Sequence, residues 1–438
     1  MLTRLFTGTN LLLMSLAIAC LAIFIFVITP TGVSEVDAEK VTKIYFADNI
    51  SAAHQKVIDR FNETHRGNIE VVPVNLPFAK FSTNERKQLL TRSLRSKGAR
   101  IDIFAVDLVW VPRFVKWAEP LAQYFSPQEQ QAFLPYALKS CFFNQKLVGV
   151  PLYIDIGVMY YRKDQLAALP DYAEIEQKLK KSMTWEEFIQ LSSKLSPLGK
   201  EFYLFPADRY EGLICCFVEN VSSENGALVQ GDSLRVNTPQ SRRALQLLVD
   251  LVDKYNMTPS AVTAYKEKEV YEDALAHDAI FFRGWPGNLR DYENRYSDKI
   301  RNIGVAALPH FAGAEPAAVF GGWNLMISKD SNKKAAAVQF IKFATGKAMQ
   351  QVIYEEMGYL PANRRVYEDT AFYNRHRDLK YFRQLLEHGV HRPALVEYTK
   401  ISDILSFYAN QAIKKGISVE KALQNAEQMI RAQKVLIN

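Results

Sequence analysis

Ile101–Phe125, IDIFAVDLVWVPRFVKWAEPLAQYF, and Gly149–Leu166, GVPLYIDIGVMYYRKDQL, are the two runs on which the reading of this chain turns. The first opens with an apolar run that reads as a buried strand and carries Asp107 and Trp110 to its carboxyl end, where open α/β sheets place their ligand crevices. In the second, Gly149 and Pro151 punctuate an extended segment in which Tyr153 and Asp155, two residues apart, share one face. Another strand, VMYY, follows at once, so the pair reads as a crossing between two lobes.

Working outward, 438 residues exceed what one hydrophobic core usually holds, and two compact units are expected. Apolar residues at 48% and charged residues at 23% exclude both a disordered chain and one that crosses a membrane many times. The net charge of +7 is spread over 54 basic and 47 acidic side chains without a basic block, which argues against nucleic acid as a partner. The seven His and four Cys form none of the usual metal-ligand spacings, so no metal or cofactor is expected. Cys215 and Cys216 are adjacent and pair with each other only under strain. A bridge from Cys141 to one of them stays open beside free buried thiols.

From Lys40 the pattern is βαβαβ: VTKIYFA, a helix capped by Ser51 with Ala53, Val57 and Phe61 on one face, IEVVPVNL, a polar helix from Asn84, then IDIFAVD. That order predicts a parallel, doubly wound α/β sheet. Thr184 and Glu187 form a capping box, and Thr238-Pro239 opens a long helix. In AIFFRGWPGN, residues 279–288, Trp285 sits between a glycine and a proline, and Arg283 is a forked donor suited to hydroxyl pairs. IGVAALP, from Ile303, is expected as a strand of the first lobe. Phe320–Ile327, FGGWNLMI, is expected as a further crossing, in which Gly321 and Gly322 bring the backbone close to a ligand and Trp323 supplies a second aromatic plate. For both tryptophans the alternative is a place in a core. A helix with Ala337, Phe340 and Ile341 on one stripe follows, and SVEKALQNAEQMIRAQ closes the chain.

With these segments together, the chain resembles the extracellular solute-binding proteins of carbohydrate ABC importers, especially the trehalose/maltose-type members. The carriers of the likeness are the aspartate strand ending in Trp, W-x-E-P-L, G-V-P-L-Y-x-D-x-G-x-x-Y-Y-R-K-D, R-Y-E-G-L, G-Y-L-P and R-P-x-x-x-x-Y. The resemblance extends over residues 40–430. It implies a two-lobed, type II periplasmic-binding-protein-like fold, with one lobe from 40–154 and 300–327 and the other from 155–299 and 328–438. It also implies a sugar, expected as a di- or oligosaccharide, held between the lobes of a monomer and delivered to membrane permease subunits. The family's P-x-x-x-x-S-T-x-x-R matches Pro77, Ser82, Thr83 and Arg86. Tyr210 and Glu211 are implied to face the cleft, and Arg392 and Tyr398 its rim. Ala47-Asp48-Asn49-Ile50 departs from the family's small-residue turn, so the first ligand loop is expected to differ in chemistry.

Arg4 precedes the apolar run Leu11–Ile28, which at about 1.5 Å per residue spans most of a roughly 30 Å bilayer core. Its length favours an uncleaved anchor. Cleavage after Val36-Asp37-Ala38 and lipidation at Cys20 remain rivals. Each version places residues from about Lys40 onward outside the cytoplasm, in the periplasm or on the outer face of the cytoplasmic membrane. Two other roles stay open: a membrane-anchored sugar sensor serving a receptor or kinase, and a glycoside hydrolase using Asp107 and Asp155 as its carboxylate pair.

Overall fold

A computed structural model describes residues 41–77, 83–96, 100–195, 201–231 and 233–432. The apolar run 11–28, Cys20 and Ser82 lie outside the described residues.

β1 (Thr42–Asp48) turns Ile44, Phe46 and Ala47 inward, and α1 (Ala52–Thr64) starts where the Ser51 hydroxyl accepts the His54 N–H. β2 (Ile69–Asn75) lies parallel to β1 on one side. After α2 (Thr83–Arg95), β3 (Ile103–Asp107) lies parallel to it on the other. This is the doubly wound start that the alternating pattern predicts. β4 (Val150–Ile156) is buried along its whole length and leads through Gly157 into β5 (Val158–Arg162), also wholly buried. Only one residue separates the two strands, yet they belong to different sheets.

The second lobe holds α3 (Tyr172–Lys181), β6 (Tyr203–Leu204), α4 (Glu211–Ser222), α5 (Pro239–Asp253), β7 (Phe281–Gly284) and β8 (Ile303–Ala306). Its sheet runs β8-β5-β7-β6, with β5 antiparallel to both neighbours. The strand expected in the first lobe at Ile303 is therefore in the second. Gly304 explains the choice, because its missing side chain leaves room for the Tyr161 ring of β5.

β9 (Ala318–Ile327) returns to the first sheet. It pairs antiparallel with β3 on one edge and β4 on the other. The stretch expected as a crossing is thus a central strand, and the crossing itself is residues 307–317. α6 (Lys334–Ala344) and α7 (Lys347–Met357) also cover the first sheet, not the second lobe as the expected boundary at 328 would have them. Phe340 decides this: its ring lies 5.5 Å from Phe46 and 5.2 Å from Phe61. After α8 (Arg377–Leu386), β10 (Gly389–Val390) joins the edge of β9. The chain then crosses a third time to α9 (Tyr398–Ile413) and α10 (Val419–Ala432), which pack with α4 and α5. The result is a two-lobed α/β fold with three crossings at the seam. Cys141, Cys215 and Cys216 are buried and free, and no helix among the described residues is long and apolar enough to span a membrane.

Gly322 sits at φ +124°, with the position of a Cβ 2.5 Å from the Tyr153 carbonyl oxygen. Gly322→Ala is expected to lower the unfolding free energy by about 1–3 kcal/mol through backbone strain. An unchanged urea midpoint would contradict this.

Candidate functional site

The β4–β9 ladder sets the geometry. Its register pairs Asp155 with Gly321 and Tyr153 with Trp323, and on the other edge β3 brings Asp107 opposite Trp323. Directly opposed residues project from the same face of a sheet, so Asp155, Tyr153, Gly321 and Trp323 line one side of the seam. Trp285, arriving from the end of β7, lies over Gly321. Its ring carbons stand 2.9 and 3.3 Å from where a Cβ would be, so any side chain at 321 would displace the indole. The Tyr160 hydroxyl donates to the Trp285 carbonyl at 2.7 Å, and the Trp285 N–H donates to the Tyr271 hydroxyl at 2.8 Å.

Arg283 supports this plate from behind. Its guanidinium carbon is 3.8 Å from the Trp285 ring centre, and its Nη2 donates to Glu219 at 2.8 Å. The arginine side chain is 0% exposed and that of Glu219 5%. Arg283, expected to reach ligand hydroxyls, is in this arrangement enclosed, because Glu219 of α4 captures it. Glu219 also accepts the Val319 N–H at 3.4 Å and fills the space over Gly157. Asp155 contrasts with it: its carboxylate accepts the Ile156 N–H, at 3.2 Å. Burial pushes this carboxyl well above the usual carboxylate range, with the Ile156 bond and Arg283 opposing.

The first lobe adds an aromatic and charged wall. Arg86 donates to Asp48 at 3.1 Å and lies 4.4 Å over the Trp323 ring, which meets Trp110 edge-on at 5.7 Å. His54 Nε2 is 3.8 Å from Asp48, and Tyr153 stacks on Tyr359 at 4.4 Å. Burial raises the Asp48 carboxyl and lowers the His54 imidazole, with each opposing the other's shift. His54, Tyr359 and Glu219 escaped the sequence reading, and Asp48 entered it only as part of an unusual turn. That turn, Ala47–Ile50, was also the available signal for His54, which follows it in the first turn of α1.

At the other end of the seam Arg392 is a clasp. It donates to Glu211 at 2.7 Å and to Asp107 at 2.9 Å, joining a carboxylate from each lobe. The Tyr398 hydroxyl donates to Glu211 at 2.6 Å, and the Ser402 hydroxyl bonds the same carboxylate. Burial raises Asp107, offset first by Arg392. Tyr210 stands apart: its hydroxyl turns toward Glu267 and lies close to Gly212. Opposite the clasp, Gly287 at φ +86° and Gly358 at φ +70° bring the lobes into backbone contact, and Arg290 donates to the Glu355 carbonyl. Among the described residues no group of three or more His, Cys, Asp or Glu is placed to hold a metal.

A seam closed at both ends, with plates and carboxylates along it, is a capture device, and the comparisons agree. A family profile described as bacterial extracellular solute-binding protein matches residues 46–351. The chain belongs to the bacterial extracellular solute-binding proteins. A probable ABC transporter-binding protein of Deinococcus radiodurans is 28% identical over 359 residues, 79% of this chain and 83% of that one. The maltodextrin-binding protein MdxE of Bacillus subtilis is 21% identical over 240 residues, 54% of this chain and 55% of that one. Among solved structures, maltose-bound MalE3 of T. maritima superposes with a TM-score of 0.80 at 28% identity, over 90% of this chain and 100% of that one. Membership in this family of extracellular proteins places the described lobes outside the cytoplasm.

Removing one member of a buried ion pair leaves an uncompensated charge. Glu219→Leu is therefore expected to destabilise the protein by about 3–5 kcal/mol, and Glu219→Leu with Arg283→Met to recover most of that loss. A double-mutant cycle by urea unfolding tests this; additive losses would show that the pair does not act as a unit.

Proposed function

We propose that this protein is the substrate-binding component of a carbohydrate ABC importer, closing its lobes on a di- or oligosaccharide and handing it to a membrane permease. The observation that carries the reading is Trp285 lying over Gly321 beside the under-compensated carboxylate of Asp155. A sugar offers an apolar ring face and directed hydroxyls, and here an indole plate and an acceptor stand together on the face that also holds Tyr153 and Trp323. The maltose in the T. maritima relative supports the ligand class. Binding without hydrolysis is favoured because Asp107, one of the two carboxylates a hydrolase would need, is tied to Arg392. Maltose or trehalose incubated with the protein should be recovered intact.

Sugar at about 100 times its dissociation constant should add roughly 2.7 kcal/mol of stability, visible as a thermal shift. Trp285, half-buried, should be replaceable by Ala with loss of that shift and little unfolding. Trp323→Ala should in addition lower the unliganded melting temperature, since the ring packs on Trp110 and Arg86. A full sugar response in Trp285→Ala would defeat the stacking assignment.

Asp155 gives a pH test. Its raised folded value means that the native state keeps a proton the unfolded chain has lost, so its contribution to stability falls as pH rises above about 4. Asp155→Asn should raise the unliganded melting temperature at neutral pH. It should also weaken sugar binding about tenfold, or about 1.4 kcal/mol. A variant that melts lower, or binds as tightly as the parent, would contradict the assignment.

A further inference from the structure

Just outside the Arg392 clasp, a surface groove of about 370 Å³ opens along the seam. Its floor is apolar, with Pro112, Val115 and Phe143 on one side and Val396 on the other. Val396 is 39% exposed, and Phe142, beside Phe143, is 38% exposed; both belong to the small set of large apolar side chains left open to water among the described residues. Arg95, Arg113, Lys116 and Lys400 rim the groove against one carboxylate, Glu397, which Lys400 already pairs at 2.6 Å. The Arg113 Nε is buried without a hydrogen-bond partner.

The two walls come from different lobes. Residues 112–116 follow β3 of the first sheet, whereas Val396 to Lys400 lead into α9, which packs on α4 and α5 of the second lobe. Rotation of one lobe on the other would carry the walls apart. The groove in this form therefore belongs to the closed arrangement, the one in which Arg392 joins Asp107 to Glu211. A partner that binds it gains free energy only from that state and can distinguish a loaded protein from an empty one.

We propose that this groove docks an outward-facing segment of the membrane permease, one that presents an apolar side chain flanked by carboxylates. The inference rests on the import reading. Charge favours that occupant over a second copy of the chain, because a symmetric contact would set the basic rim against itself.

The test uses the full chain in its host, with Val396→Asp and the double substitution Arg113→Glu, Lys116→Glu. Both variants should keep the parent's sugar-induced thermal shift, while uptake of that sugar by cells falls at least tenfold. A photoreactive phenylalanine analogue replacing Val396 should cross-link to a permease subunit. Uptake within twofold of the parent overturns the proposal, as does loss of the thermal shift in either variant, or a cross-link only to a second copy. Should the parent itself show no response to any sugar, the import reading falls while the cross-link still decides the docking surface.

Discussion

The Glu219–Arg283 ion pair is the contact on which the seam depends. It lies where the first crossing, the start of β9 and the plate at Trp285 converge: over Gly157, against the Val319 N–H and behind the indole. Enclosing two charges is expensive, and their mutual attraction repays the desolvation only when geometry is good and further hydrogen bonds are made. Stability alone is thus a poor reason to keep the pair. Its geometry suits positioning, because one carboxylate orients two crossings and, through one guanidinium, an aromatic plate.

Around that pair the lobes are joined by contacts of two kinds. At one rim, backbone meets backbone at Gly287 and Gly358, where side chains would hold the lobes apart. At the other, Asp107 and Glu211 would repel across the seam, and Arg392 between them turns the repulsion into a bridge. Lys87 adds to the same side. It is buried near Trp110, and burial brings its ammonium down to about 8, opposed most by Asp403 of the second lobe. Opposite charges thus meet across the seam at Arg392, while Asp155, further along, is buried with the Ile156 N–H donating to its carboxylate.

Much of the local structure could be read from residue order. Ser51, Thr184 and Thr238 cap helices as their spacing predicts, because capping is settled within four residues. The buried strands at 103–107 and 150–162 were visible as apolar runs, and Asp107, Tyr153 and Asp155 were placed on them by period alone. Lobe membership was harder. Ile303–Ala306 and α6 carry ordinary strand and helix patterns, and the sheet each joins depends on distant partners, Tyr161 for one and Phe46 with Phe61 for the other. Arg283 misled for the same reason. A forked donor next to a tryptophan reads as a ligand contact until Glu219, 64 residues earlier, is known to hold it.

The order of residues by itself determined the kinds of element, their α/β alternation, the family and the chemical inventory of plates and carboxylates. These depend on hydrophobic period, caps and short motifs, all of which act over a few residues. Only the tertiary structure decided which lobe each late segment joined, which arginine was enclosed and which bridged the seam, and that Asp155 stayed under-compensated. Those outcomes depend on desolvation and on pairings between residues far apart in the chain, and a buried charge takes its character from whatever distant group closes over it.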